Sequence, residues 1–349
     1  MCIVFWTLDH DDYALIMCTN RDEFLHRPTL NAHFHSFDHP TDAPEMLGSQ
    51  NDDEGSVLSG IDLKGGGTWL GINRAGRIAV LTNITEAYTT YDTSRGSLCS
   101  SFLLDPPPEA QTLANEFTSL VAPDTKFAGF NLLLLSPVSA PSSQTTEYGA
   151  AHSLTVSYEA LFATNNGGGG DIVSRTITKE DISAIPNAEG VCDCFSNGAD
   201  AHGGADWPKV IRGKKEFAEI LGSIGRETQK SEDELVEELL GMLSISADTP
   251  IQKREDLRNT IRVLPFELQN DLLPPDERWY GTRLSTVILV RKDGSVKFVE
   301  QDVFELGTEG GNDVVEGNTN GNGQAKEAKR PCLAGSSSRR MFEFNIRRS

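Results

Sequence analysis

Short apolar runs broken by turn-forming residues dominate the first third of the chain. Residues 3–7 and 13–18 flank Asp9-His10-Asp11-Asp12, a pattern that predicts a β-hairpin beginning at the N-terminus. Residues 68–72 and 78–82 flank a turn at 73–77 and predict a second hairpin that ends at Asn83. Residues 127–135 form a dense apolar strand that contains Asn131, and 161–164 form another that runs into Asn165-Asn166 and four glycines. Helical spacing appears over 108–121, where Leu113, Phe117 and Leu120 share one face. Two stronger helices are predicted at 209–221 and 232–243, the second opened by a capping box of Ser231 and Glu234. Residues 285–291 and 295–300 around Lys292-Asp293-Gly294 complete the pattern as a hairpin rich in β-branched residues.

Three stretches lack periodicity. Residues 26–56 predict a long loop, 136–151 a surface insertion rich in Ser, Thr and Pro, and 307–349 a disordered tail too poor in apolar side chains to offset its ordering entropy. The remainder, 1–306, reads as one α+β domain with antiparallel hairpins and outer helices.

Charge narrows the function. With 31 Lys+Arg against 51 Asp+Glu the net charge is −20, which argues against a nucleic-acid-binding body because phosphate neutralisation needs clustered cations. The exception is residues 326–349, which carry seven Lys and Arg and form a basic arm for an acidic partner or membrane surface. No apolar run reaches the roughly 18 residues of a membrane span. The start is no signal peptide, so the six cysteines read as reduced thiols in a cytoplasmic setting.

Chemistry concentrates at Cys2. Loss of Met1 would leave one residue with both a thiol and a free α-amine, whose pKa near 8 suits it as a general base. The alternative is a small buried hydrophobe at a strand start. Asn20-Arg21-Asp22-Glu23 follows the second strand, and antiparallel pairing returns it to the neighbourhood of Cys2. There Arg21 and Asp22 could orient the amine and stabilise a thiolate. Asn83, Asn131, Asn165 and Asn197 sit near strand ends, where an amide can support an oxyanion or simply shape a turn. Arg283 precedes the last hairpin as an anion binder or a surface salt bridge. His26, His33, His35 and His39 fall in one loop, the only hint of a metal or haem iron, and Cys192-Asp193-Cys194 lacks the second pair that a structural zinc needs.

The ordered motifs Met1-Cys2-Ile3, Thr19-Asn20-Arg21-Asp22-Glu23-Phe24, Gly66-Gly67-Thr68-Trp69-Leu70-Gly71, Leu81-Thr82-Asn83, Gly129-Phe130-Asn131, Ser196-Asn197-Gly198, Trp207-Pro208-Lys209 and Tyr280-Gly281-Thr282-Arg283-Leu284 resemble the NRDE family of transport and Golgi organisation proteins. The resemblance implies an association with Golgi organisation and protein secretion, and with haem or acyl-CoA and lipid homeostasis, in the cytoplasm and at Golgi or mitochondria. It further implies a likeness to N-terminal nucleophile hydrolases, a four-layer αββα fold with two stacked antiparallel sheets between helices. On that likeness the site is Cys2, Arg21, Asp22, Asn83, Asn197 and Arg283, although Arg21 is adjacent to Asp22 where the hydrolases space the two apart. The substrate would be an amide or thioester. The competing expectation is a non-enzymatic carrier of a small amphipathic ligand such as haem or an acyl-CoA, or a trafficking factor using the same cleft.

Overall fold

A computed structural model describes residues 2–37, 55–87, 89–104, 111–141, 154–178, 192–224, 230–268, 274, 277–307 and 329–347. Fourteen strands form two antiparallel sheets of seven, and two more form a separate small ribbon. The first sheet contains β1 (Ile3–Thr7), β2 (Tyr13–Phe24), β10 (Asp193–Phe195), β11 (Phe266–Glu267), β12 (Trp279–Arg291), β13 (Ser295–Asp302) and β16 (Arg340–Asn345). The second contains β3 (Thr29–His35), β4 (Val57–Asp62), β5 (Leu70–Asn73), β6 (Ile78–Asn83), β7 (Phe130–Pro141), β8 (Leu154–Thr164) and β9 (Val173–Ile177). The ribbon pairs β14 (Phe304–Gly307) with β15 (Arg330–Leu333). The helices are α1 (Gly96–Leu104), α2 (Leu113–Leu120), α3 (Pro208–Ser223) and α4 (Glu232–Leu243).

The second sheet is a plain meander, β3 to β9 in chain order. The first has the order β10-β1-β2-β12-β13-β16, with β11 added beside the start of β12. Strand periodicity of two stacks the layers. Val4 and Trp6 on β1 join Leu15 and Met17 on β2, Ile288 on β12, and Ile72, Val80 and Leu133 of the other sheet in a core between the sheets. Ile3 and Phe5 point the other way, onto Val210 and Phe217 of α3 and Leu239 of α4. Ala79, Leu81, Leu132 and Leu134 likewise cover Phe102 of α1 and Phe117 of α2. The order is therefore helices, sheet, sheet, helices, the αββα arrangement the resemblance implied. Because both sheet faces are covered, the inner strands read as unbroken apolar runs rather than alternating ones.

The two predicted strong helices are present, and Ser231 and Glu234 make the expected box: Glu234 N–H donates to Ser231 Oγ at 3.2 Å and Ser231 N–H to Glu234 Oε2 at 2.8 Å. Three expectations need correction. Within 26–56, residues 29–35 form edge strand β3 rather than loop, while 38–54 lie outside the described residues. Within 136–151, residues 136–141 continue β7 in register with β8, and 142–151 lie outside the described residues.

The third concerns the tail. Residues 329–347 are not a disordered extension: β16 pairs along β13 from Ser295↔Asn345 to Glu300↔Arg340. Alternation at Phe342, Phe344 and Ile346 inserts three apolar side chains against the core between the sheets. Arg340 donates to the buried Glu300 carboxylate at 3.0 Å and to Asp302 at 2.9 Å. Arg339 pairs with Glu237. Part of the basic arm is thus engaged by carboxylates of its own chain; residues 308–328 are outside the described set.

Candidate functional site at Cys2

Antiparallel register builds the site. The β1–β2 ladder runs to Ile3↔Asn20, so Cys2 lies one residue past the last pair, beside Arg21. On β2, Thr19 and Arg21 follow Leu15 and Met17 toward the other sheet, whereas Asn20 and Asp22 follow Ile16 and Cys18 toward the helices. Cys2 and Arg21 therefore meet at the end of the seam between the sheets. They line a cleft of about 100 Å³ together with Asp22, Trp69, Asn83 and Arg95.

Cys2 is partly buried, its Sγ 3.9 Å from the Asp22 carbonyl oxygen. Its own carbonyl accepts from Ser196 Oγ at 2.6 Å. Burial pushes the thiol up from its ordinary range, the Asp22 charge adds to that, and Arg21 opposes it. Arg21 is 6% exposed, and its guanidinium lies 3.9 Å over the Trp69 ring while its buried Nη1 makes no hydrogen bond. Such a donor at a cleft wall is placed for an oxygen of a ligand.

Asp22 is fixed from β12. Thr282 stands opposite it in the ladder and donates to Asp22 Oδ1 at 2.6 Å, while Val263 N–H at 2.8 Å occupies the acceptor side of the same hydroxyl. Tyr280 O–H donates to the Asp22 carbonyl at 3.0 Å.

The next β12 residue is where register breaks. Thr282 pairs with Asp22 and Leu284 with Arg21, leaving Arg283 as the extra residue of a β-bulge. The bulge re-aims its side chain: Arg283 donates to the Arg27 carbonyl and to Thr29 Oγ1 at 3.3 Å, and it is not among the residues lining the cleft. Burial, with the like charge of Arg21 second, lowers its pKa to about 10. Arg283 thus braces the segment after β2 from behind.

The asparagines divide in the same way. Asn83 lines the cleft. Asn197 does not: its Nδ2 is committed to the Asn83 carbonyl, and its own carbonyl accepts from Thr85 N–H at 2.9 Å. Asn131 donates to the Ser196 and Gly198 carbonyls at 2.8 and 2.9 Å, and Asn165 to those of Phe127 and Ala128 at 3.1 and 3.2 Å. These three are scaffold. The turn at 196–198 that Asn131 holds in place also packs against the 204 backbone, where a Cβ on Gly198 would come within 2.4 Å of Gly204 Cα.

Five residues of the region were not singled out from sequence. Arg27 forks onto Asp62, with contacts of 3.2, 3.0 and 2.8 Å; burial pushes the Asp62 carboxyl up, but the fork overrides it and holds it low. Asp62 in turn caps the glycine turn through the Lys64 and Gly65 N–H groups at 3.0 and 3.1 Å. Gly67 needs its positive φ of 68° and has no room for a Cβ, which would sit 2.5 Å from the Gly96 carbonyl. Arg95, just before α1, donates to the Gly129 carbonyl at 2.9 Å and faces the charges of Glu23, Glu86 and Cys2. Lys209 was visible only as part of a motif.

The histidines do not converge. His35 is bonded to Ser59 at 2.8 Å, His33 stacks beside it, and His26 is 3.4 Å from Glu277; His39 is outside the described residues. Among the described residues no group of three or more His, Cys, Asp or Glu is arranged to hold a metal, and no helix is long and apolar enough to cross a membrane.

The family model described as Transport and Golgi organisation 2 matches residues 1–305. The chain is 30% identical over 319 residues to the Transport and Golgi organization protein 2 homolog of Bos taurus, covering 87% of this chain and 94% of that one. It is 27% identical over 315 residues to the Homo sapiens homolog, with coverage of 87% and 94%. For the Transport and Golgi organization protein 2 of Drosophila melanogaster the identity is 24% over 322 residues, with coverage of 89% and 95%. Penicillin V acylase from Agrobacterium tumefaciens overlays with a TM-score of 0.43 at 12% identity, over 86% of this chain and 83% of that one. At that level the likeness is loose, and the αββα order stands on this chain's own strand pairing and packing. The matched span takes in every cleft residue described above, and the chain belongs to the Transport and Golgi organisation 2 family.

Proposed function

We propose that this protein is a cysteine hydrolase of amides or thioesters, with Cys2 as nucleophile once Met1 has been removed, and that it serves the transport and Golgi organisation for which its relatives are named. The observation that carries the reading is that Cys2 lines a cleft together with the Arg21 cation, Asp22 and Asn83, while Thr282 fixes the Asp22 carboxylate on the helix side of the same sheet. In the reaction, Sγ bonds to the substrate carbonyl carbon while the thiol proton passes to the α-amine of Cys2. Asn83 and Arg21 Nη1 donate to the oxyanion and to substrate oxygens. Collapse of the adduct breaks the C–N or C–S bond, and the leaving amine or thiol takes the proton from the α-amine. Water then cleaves the acyl-enzyme thioester to release a carboxylic acid. Because burial keeps the resting thiol protonated, the amine has to act as base in the attacking step.

The cleft volume of about 100 Å³ is below the roughly 300–1,000 Å³ that encloses a drug-sized ligand. It suits the reacting end of an acyl chain better than a whole haem, which favours the hydrolase over the carrier. Incubation with short- and long-chain acyl thioesters tests the reading: an acyl adduct on Cys2 and thiol release, both lost in Cys2→Ser, are expected. Absence of adduct and release across the series would sink it.

A further inference from the structure

The cleft accounts for Cys2, Arg21 and Asp22 but leaves one buried cation beside them without a role. Lys209 stands in the first turn of α3, after Pro208 at the helix start, and is 0% exposed. Burying an ammonium completely is costly, so a lysine is retained in such a place where a compensating charge meets it. The layer order indicates which. Alternation along β2 sends Asp22 to the helix side, with Asn20, and α3 packs on that side against Ile3 and Phe5. There is no slack in this contact: a Cβ at Gly213, one turn further along α3, would fall 2.1 Å from the Phe5 ring. The Lys209 Nζ lies 5.8 Å from the Trp207 ring centroid. Its charge is met first by Asp22, then by Cys2 and Cys194, and burial pulls its pKa down against those three.

We infer that Lys209 is a positioning residue of the Cys2 site: from the helix side of the sheet it balances the Asp22 carboxylate, so that the Cys2 thiolate can form on the cleft side without a second uncompensated negative charge. The inference rests on the reading of Cys2 as nucleophile. The groups bearing on Cys2 are Asp22 and Arg21 on β2, Lys209 on α3, Arg95 before α1 and Tyr280 on β12. Asp22 disfavours the thiolate, and the N-terminal ammonium and then Arg21 favour it; Lys209 adds a further favourable charge from the helix side. It touches no substrate, since it is sealed from the cleft. In the attacking step it neither gives nor takes a proton; the thiol proton still goes to the α-amine.

The test reads the thiol itself rather than turnover. In a Cys332→Ser background, which removes the exposed cysteine, iodoacetamide alkylation of the Cys2-containing peptide is followed by mass spectrometry between about pH 6 and 10. Lys209→Met is expected to raise the midpoint by about one pH unit, which slows alkylation about tenfold below it. Asp22→Asn is expected to lower the midpoint, and adding Lys209→Met to it to bring the midpoint back toward the parent's. A folded Lys209→Met with the parent's midpoint, or one slowed equally at every pH, overturns the assignment. Should Lys209→Met not fold, equal midpoints in Asp22→Asn and the double variant overturn it, because that pair leaves no carboxylate stranded. Alkylation requires no hydrolysis, so failure of the acyl-thioester test and failure of this one are read separately.

Discussion

Two buried arginines carry opposite meanings in this fold. Arg77, 1% exposed beneath α1 and α2, uses all three of its guanidinium nitrogens: Nε donates to the Phe102 carbonyl at 3.2 Å, Nη1 and Nη2 bind Glu116, and the plane lies 3.8 Å over the Phe102 ring. Arg21 also lies flat on an aromatic ring, that of Trp69, yet keeps an unused Nη1 at a cleft wall. Burial and stacking are shared; completeness of pairing is not. A scaffold ion is one whose every polar atom is bonded within the chain. A residue poised for a ligand is one whose inventory is left short where the chain opens. On the donor side the same division separates Asn83, at the cleft, from Asn131, Asn165 and Asn197, whose amide nitrogens are bonded to backbone carbonyls.

If that division is right, substitutions at the cleft should cost reactivity and leave stability alone, and substitutions under α1 should do the reverse. The largest separation is expected for Cys2→Ala: acyl-thioester turnover falls at least about a thousandfold, while the denaturation midpoint stays near that of the parent. Next comes Arg77→Met, which strands Glu116 in the core and should cost about 3–5 kcal/mol in urea unfolding, with Cys2 acylation per folded molecule unchanged. Arg21→Met should lose at least about 2 kcal/mol less than Arg77→Met, since among the described residues its side chain stacks on Trp69 without a hydrogen bond or ion pair to lose. Its acylation rate should drop about ten- to a hundredfold. Equal stability losses for the two arginines would erase the distinction.

Smaller effects sharpen it. Asn131→Ala removes the donor shared by the Ser196 and Gly198 carbonyls and should cost about 1–3 kcal/mol by thermal unfolding, with acylation reduced only through loosening of the 196–198 turn. His35 gives the mildest signal. Burial, with His33 second, lowers its pKa to about 4 from the ordinary value near 6.5. The unfolded chain therefore binds the proton first as pH falls, and the stability present above about pH 6.5 declines toward pH 4. The melting temperature of the parent should fall faster across that window than that of His35→Gln; parallel curves would remove His35 from the set of buried groups kept neutral.

Much of the fold was readable because its physics is local. The capping box of α4 and the hairpin of β12 and β13 depend on neighbours a few residues apart. The β1–β2 hairpin even predicts that Arg21 returns to Cys2, since register follows from the turn. What could not be read depends on events remote in sequence. A one-residue bulge at Arg283 decides whether that side chain enters the cleft, and nothing in residues 279–286 signals it. Asn197 is taken by a carbonyl 114 positions away. Lys209 gains its setting only when α3 lies across the sheet. α1 was missed because Gly96-Ser97-Leu98-Cys99-Ser100-Ser101 offers little apolar periodicity. Strand β16 was hidden by the composition around it, although Phe342, Phe344 and Ile346 keep a strict alternation.

The Cys2 α-amine can act as the base only where Cys2 is the first residue of the working protein. The direct measurement is mass spectrometry of the N-terminal peptide from protein purified from its own cells and exposed to an acyl thioester. The prediction is a peptide that begins at Cys2, has an unmodified α-amine in the resting sample, and gains one acyl group on Sγ after exposure. A peptide that retains Met1, or carries an acetylated amine, and that gains no acyl group would contradict it.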